Sequence, residues 1–503
     1  MYCPKCGDDK LIKAGTAGSG NQRWRCSSGH RTTRPSRERI KAASTLDTQQ
    51  ARTAKRWVIT SAQNDTALHT PFFHSLLVFC KHHQAQLIII PVRYSNPDAM
   101  HKGADSEMQW PPEVLPYLLD EDLILNSNLA VMGDVKIVAT AVNPLSGLQT
   151  ISGHRSAILG HAQVAMEMVA TPHNKLPKML HTTGSVSRKN YGRSKTGKKA
   201  EHHHTLGAVY VETQGKYFWP RELIADSSGT FYDLDIRYTR EGYTTGHPVS
   251  GLVLGDEHVK WSDAAVLKAT FEGKGSLCGT VKPEALVRHD IHDHYSGSHH
   301  HLGNHLLQLA KHIKADDIVE EELQLSADHV NHTSPPNCIN YIIESNHHDH
   351  LAQWLNKTDP KRDLKNAAFY YKLMGKAVEA IEKGDHRSVF ELWMADNLQA
   401  PYKFINANDE LLIEGIDCSQ HGHIGANGAR AGKRSFANAS YKMIAGHSHS
   451  PCIEKGFYQV GTSTMKMGYA KGLSSWMVTH AIIYPNGKRS LIHIINGKWR
   501  SQT

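Results

Sequence analysis

The chain has 503 residues, 40% of them apolar, which is enough for a sizeable core and, by length, for two to four structural units. No run reaches the roughly 18 consecutive apolar residues that a helical membrane span needs. The formal net charge of +9 suits a polyanionic partner, and the 35 histidines, many gathered at 202–204, 289–305, 347–350 and 421–423, point to metal chemistry, because neutral imidazole is the commonest protein metal ligand.

The chain opens Met1-Tyr2-Cys3-Pro4 without an apolar leader, so a soluble cytoplasmic protein without membrane contact is expected. Three of the eight cysteines fall in the first 26 residues and five are scattered, a pattern of one metal site plus buried thiols rather than a disulfide framework. Cys3 and Cys6 form a CxxC knuckle, and Cys26 and His30 supply a second pair. Four such donors suit one structural Zn2+, whose binding would fold a unit too small to fold alone. With its CPKCG, RWRC and HRTTRP segments, this stretch resembles the zinc ribbons that open transposase accessory and phage DNA-handling proteins. Residues 31–56 follow with eight Arg or Lys against two acids and read as a basic linker.

From Trp57 the pattern turns to α/β. Strands are expected at 57–60, 87–92, 135–142 and 208–211, and a helix at 72–83. Residues 187–199 carry six positive charges, Arg188, Lys189, Arg193, Lys195, Lys198 and Lys199, with no acid and two glycines. This predicts a flexible exposed loop, either merely solvated or clamping nucleic-acid phosphate over an active site.

Five times in the second half an apolar, strand-like run ends in Asp, Asn or His. Residues 251–254 lead to Asp256 and His258, and 285–287 to His289, Asp290 and Asp293. Residues 341–344 lead to Asn346 and His347, 411–416 to His421 and His423, and 442–445 to His447 and His449. In α/β architectures strand ends meet on one rim, so ligands placed there can converge. Carboxylate, imidazole and amide oxygen together suit divalent ions such as manganese, iron or zinc. A helix is expected over 363–383, capped by Asp363 and ended by Gly384, and a hairpin turn at Pro485-Asn486-Gly487 between the last strands.

The five blocks in this order resemble the calcineurin-like metallophosphoesterase family over about residues 250–475, although His289, Ser345 and His348 depart from its pattern. The resemblance implies a four-layer α/β/β/α sandwich at 246–503. The expected organisation is then a zinc ribbon at 1–35, a basic linker at 36–56, and an additional α/β region at 57–245 that either stands apart or extends the catalytic sheet. It also implies two divalent ions, with Mn2+ the expected metal. One would be held by Asp256, His258, Asp290 and His449, the other by Asp290, Asn346, His421 and His447. Asp290 would bridge both, and His347 would assist the leaving group. His423 competes with His421, which is preferred because it follows the apolar run directly.

Zinc ribbon, basic segments and net charge together are similar to phage DNases that degrade host DNA early in infection. The expected function is a two-metal phosphodiesterase cleaving DNA, in the host cytoplasm if phage-encoded, with RNA as the other nucleic-acid candidate and a homo-oligomeric assembly. The alternatives are a phosphatase or nucleotide phosphodiesterase with a protein-binding ribbon, and a non-enzymatic DNA-binding takeover factor.

Overall fold

The computed structural model describes residues 11–17, 22–32, 46–94, 96, 109–172, 175–468 and 471–501. Cys3 and Cys6 lie outside these. Near the start, strands Ile12–Thr16, Gln22–Arg25 and Arg31–Thr32 form a small antiparallel sheet. Buried Cys26 and half-buried His30 flank the turn after its second strand, where the Cys26 amide donates to the His30 carbonyl. The end of the expected linker is structured. Asp47 caps helix Thr48–Thr53 by accepting from the Gln49 and Gln50 amides, and the indole of Trp57 donates to the Ala51 carbonyl.

The larger elements, in chain order, begin with β1 (Arg56–Gln63), α1 (Thr70–His83), β2 (Gln86–Val92), β3 (Asp122–Asn126), β4 (Leu129–Met132), β5 (Ser156–Leu159) and β6 (Met166–Val169). Next come β7 (Lys178–Thr182), α2 (Lys195–His203), β8 (Gly207–Gln214), β9 (Tyr217–Ile224), β10 (Gly251–Val253), α3 (Ala264–Phe271), α4 (Leu277–Val281) and β11 (Ala285–Arg288). Then follow α5 (His305–Ile313), α6 (Val319–Thr333), β12 (Ile339–Ile343), α7 (Asn346–Lys357), α8 (Ala367–Glu382), α9 (Val389–Asn397) and β13 (Tyr402–Ile405). The last are β14 (Leu412–Ile413), β15 (Ile416–Asp417), β16 (Lys442–Ala445), β17 (Cys452–Glu454), β18 (Phe457–Gln459), β19 (Thr479–Ile483) and β20 (Arg489–His493).

Three sheets organise these elements into a mixed α/β protein. A six-stranded sheet runs β13-β12-β11-β10-β19-β20, and its first four strands are parallel. A ten-stranded sheet runs β14-β15-β16-β18-β17-β6-β7-β5-β4-β3, and a four-stranded sheet runs β9-β8-β1-β2. Strands β10, β11 and β19 are buried along their whole length, which is why they read as short, mostly apolar runs. Val253, Val287, Ala481 and Ile483 pack against Ile416, Ile444 and Tyr458 of the ten-stranded sheet. The alternate residues Leu252, Leu286 and Ile482 pack on Val266 of α3 and Leu277 and Val281 of α4. Helices α6 to α9 extend this helical layer, with Leu323, Trp354, Leu373 and Trp393 in one cluster.

The ten-stranded sheet joins two distant parts of the chain. β17 pairs antiparallel with β6, Cys452 opposite Glu167 and Ile453 opposite Met166. The four-stranded sheet packs on its far half, with Trp57, Ile88 and Trp219 against Val131, Ile158 and Met179. Helix α1 covers the other face of the four-stranded sheet through Phe72, Leu76 and Phe79.

Several local expectations are corrected. Residues 135–142 form turns and no strand, because apolar Val135 and Ile137 pack from a loop beside β4 and β5. The run 411–416 is a tight hairpin of two two-residue strands, turned at Glu414 (φ 50°) and Gly415 (φ 72°), both left-handed as such turns require. Asn366 precedes α8 rather than Asp363, whose carboxylate instead accepts from the Asn366 amide. Gly384, at φ 70°, follows that helix as expected.

Residues 187–194 are an irregular, partly packed segment, and a helix replaces the expected loop from Lys195 onward. Ser187 and Gly192 are buried, and Ser194 caps α2, so Lys195, Lys198 and Lys199 stand on a helix. All six cations are exposed. Lys189 lines a groove with Lys442, Lys455, Lys488 and Arg489, beside the start of β16, whereas His447 and His449 follow its opposite end.

Candidate metal centre

The parallel strands β10, β11 and β12 deliver their following residues to one rim, and β16 of the facing sheet delivers His447 and His449 to the same place. Backbone hydrogen bonds tie the loops together. The Glu257 and His258 amides donate to the His289 and Asp290 carbonyls at 2.9 and 2.7 Å. The Gly446 amide donates to the His421 carbonyl at 2.7 Å, and the His447 amide donates to Asp256 Oδ2 at 2.9 Å. Gly446 is required there, because a Cβ at this position would stand 2.3 Å from Asp256 Oδ1 and 3.2 Å from the His289 ring.

Asp256, His258, Asp290 and His449 are buried, and each offers a donor atom within 4.8 Å of the others. The Nε2 atoms of His258 and His449 lie 3.1 Å apart, and His449 Nε2 is 3.0 Å from Asp256 Oδ2. His258 Nε2 is 3.7 Å from Asp290 Oδ2, which His421 Nε2 approaches from the other side at 3.1 Å. His447 packs on the His421 ring, with centroids 5.2 Å apart. Asn346 opens α7 behind Ser345, whose hydroxyl accepts from the His348 amide. His423 is half-buried beside His421 and His447, at centroid distances of 5.5 and 6.2 Å. It makes no contact with Asp290 like that of His421.

Three observations fit this cluster to cations. First, Asp256 Oδ1, Asp290 Oδ1 and Asn346 Oδ1 are buried with no hydrogen-bond partner among the described residues. Orphaned buried oxygens are costly, and a metal satisfies them. Second, the backbone is left-handed at His258 (φ 40°), Asp290 (φ 44°), His447 (φ 74°) and His449 (φ 58°). Each such residue costs about 1–3 kcal/mol, a strain that collects at functional sites. Third, the charges demand compensation. Burial opposes ionisation of Asp290, yet the charge and hydrogen bond of His421, with His347 and His258, hold it well below the usual carboxylate range. Burial likewise opposes a proton on His258, but the hydrogen bond and charge of Asp293, then Asp290 and Asp256, raise it to about 9. Without metal, protons on imidazoles stand where cations would sit.

Asp293 is the residue whose importance the sequence left undecided. Its Oδ1 accepts from His258 Nδ1 at 2.7 Å and its Oδ2 from Trp261 Nε1 at 3.0 Å, so His258 turns Nε2 to the cluster, where loss of its proton would expose a lone pair. Its backbone carbonyl accepts from His347 Nδ1 at 2.9 Å, which fixes that ring beside His258, with centroids 4.8 Å apart. The loop carrying it rests on Glu322 of α6, which accepts from the Tyr295 and Ser296 amides. His289 is also placed here, its Nδ1 3.3 Å from His421 Nδ1. Burial, then the neighbouring His421, pushes its pKa down to about 4, so it enters as a neutral ring.

These features define a mixed α/β protein with a buried Asp/His cluster able to hold a metal ion. No family model matches the chain. Protein A1 of Escherichia phage T5 is 32% identical over 475 residues, covering 91% of this chain and 85% of that protein, and the chain belongs to the family of that phage protein. Among solved structures, Vps29 of Chaetomium thermophilum aligns with 38% of this chain and 98% of its own, at 10% identity and a TM-score of 0.19, a likeness too slight to define the fold. No helix among the described residues is long and apolar enough to cross a membrane.

Proposed function

We propose that this protein is a two-metal phosphodiesterase that cleaves DNA. The observation that carries the reading is the set of buried, unpartnered oxygens of Asp256, Asp290 and Asn346 among converging imidazoles at the carboxyl ends of strands. Asp256, His258, Asp290 and His449 would hold one ion, and Asp290, Asn346, His421 and His447 the other. The two facing sheets with helices outside the six-stranded one support reading residues 246–503 as the phosphoesterase sandwich. Manganese is the proposed metal, since carboxylate and amide oxygens temper the imidazoles. Cys3, Cys6, Cys26 and His30 are the proposed structural zinc ligands.

Ions at this centre would lower the pKa of water enough to make hydroxide available as nucleophile near neutral pH and would offset charge on the non-bridging oxygens. The remaining work falls to side chains. His347, with Nδ1 committed to the Asp293 carbonyl, keeps Nε2 for hydrogen bonding or proton donation to the departing oxygen. Asp293 holds the His258 tautomer. Kinship with a phage protein supports action in a host cytoplasm. The exposed cations Arg188, Lys189, Arg193, Lys195, Lys198 and Lys199, the ribbon and the net charge of +9 support a nucleic-acid substrate and a homo-oligomer that gathers several such surfaces.

The test is cleavage of linear and circular DNA with manganese by the intact protein, Asp290→Ala and His347→Ala. Intact protein should degrade DNA. Asp290→Ala should lose both metal and activity, whereas His347→Ala should keep its metal, measured by elemental analysis, and lose turnover by about 10²–10⁴-fold. Equal metal content in the two variants would contradict the assignments. DNA left intact while bis-p-nitrophenyl phosphate is hydrolysed would keep the centre and reject the substrate.

A further inference from the structure

Beside the centre lies a second group of donors that the reaction does not use. His299 and His300 stand on a single 3-10 turn, His299–His301, directly before α5, and His350 projects from α7 one turn beyond His347. Their donor atoms all lie within 4.8 Å of one another. The ring centroids are 5.1 Å apart for His299 and His350, 5.7 Å for His300 and His350, and 4.0 Å for His299 and His300. The Nδ1 atom of His299 is buried with no hydrogen-bond partner among the described residues. A satisfied structural histidine would have both nitrogens bonded or wet. His299 is half-buried, with that buried nitrogen unclaimed and two further imidazoles against it.

We infer that His299, His300 and His350 form a separate cation site, selective for borderline ions such as Zn2+, Co2+ or Ni2+, with one coordination position open to an anion. The donor set decides the selectivity. It is three imidazole nitrogens without a carboxylate, which suits those ions and disfavours Mn2+ or Mg2+, in contrast to the centre that includes Asp256 and Asp290. Tetrahedral coordination at about 2.0–2.1 Å brings nitrogens to about 3.4 Å from one another, so donors within 4.8 Å need to close by at most about 1.4 Å, within reach of side-chain rotation. Three protein donors leave a fourth position, and His300 is exposed, so that position can take water or a phosphate oxygen. The site adjoins the proposed leaving-group histidine, the His347 and His350 ring centroids being 4.9 Å apart. The cation site does not depend on the proposed activity.

The experiment is zinc content, by elemental analysis, of the full chain after equilibration with buffered free Zn2+. The intact protein is compared with His299→Ala/His350→Ala, and both are repeated in an Asp290→Asn background that disables the Asp/His centre. The double variant should carry one zinc fewer per chain in both backgrounds. Equal content in intact and variant protein overturns the proposal, and so does a deficit confined to the background with Asp290, because the histidines would then only support the other centre. His300→Ala, at an exposed position, should weaken Co2+ binding at least about tenfold in the Asp290→Asn background, read from the visible absorption of four-coordinate cobalt. Unchanged binding there also overturns it.

Discussion

Replacing Asp293 by Asn isolates the group that orients the centre without ligating in the proposed scheme. The carboxylate accepts two hydrogen bonds at once, from His258 Nδ1 at 2.7 Å and Trp261 Nε1 at 3.0 Å, and the side chain is 4% exposed. An isosteric amide can accept only at its oxygen. If its NH2 turns to the indole, two donors face one another in a buried site, at about 1–3 kcal/mol. If it turns to His258, that ring must move its proton to Nε2, where the metal-binding lone pair was. Either way the metal-competent state is penalised, and loss of such an orienting partner typically lowers metal affinity 10–100-fold, or about 1.4–2.7 kcal/mol. The assay is Mn2+ titration calorimetry on Asp293→Asn and intact protein, with thermal unfolding of the metal-free forms as the control for folding. Affinity within about threefold of intact protein would refute the orienting role. A loss beyond about a thousandfold would make Asp293 a ligand in its own right.

Three further outcomes follow from the geometry. Gly446→Ala drives a methyl into Asp256 Oδ1 at 2.3 Å, so metal content should fall and the melting temperature should drop by the equivalent of about 1–3 kcal/mol, checked by elemental analysis and calorimetry. Glu257→Gln leaves buried Arg288, whose Nη1 lies 2.7 Å from that carboxylate, without its counter-charge, and should cost about 3–5 kcal/mol in denaturant unfolding. Metal affinity should rise with pH: His258 has a raised pKa of about 9 in the metal-free protein, so it is protonated at pH 7 and must release that proton to bind. Calorimetry should give at least about a tenfold gain per pH unit up to about 9 and a plateau above it, and a flat profile between about pH 6.5 and 8.5 would contradict this.

Much of the centre was legible in order along the chain because the strands carrying it are mostly buried. Burial makes each strand a short, mostly apolar run, and the polar residues that end the runs are the ones that reach the rim. Asp256, His258, Asp290 and His449 come together by that rule. It failed for 411–416, where the same apolar signature belongs to a hairpin, because periodicity over six residues cannot separate one strand from two.

What the sequence determined by itself, then, was the donor chemistry, the strand ends that bear it and the α/β alternation. Local covalent order sets these: a run of β-branched and apolar residues, then a turn, then a side chain. Tertiary structure alone decided the rest. The pairing of residues 166–167 with 452–453, nearly three hundred positions apart, makes one ten-stranded sheet of two regions that look independent in sequence. Lys195, Lys198 and Lys199 lie on a helix, Lys189 lines a groove beside the start of β16, and His299, His300 and His350 meet across a 3-10 turn and a helix. Contacts of this kind depend on which faces bury against which. Hydrophobic packing selects that globally, and it leaves no local mark in the residues it brings together.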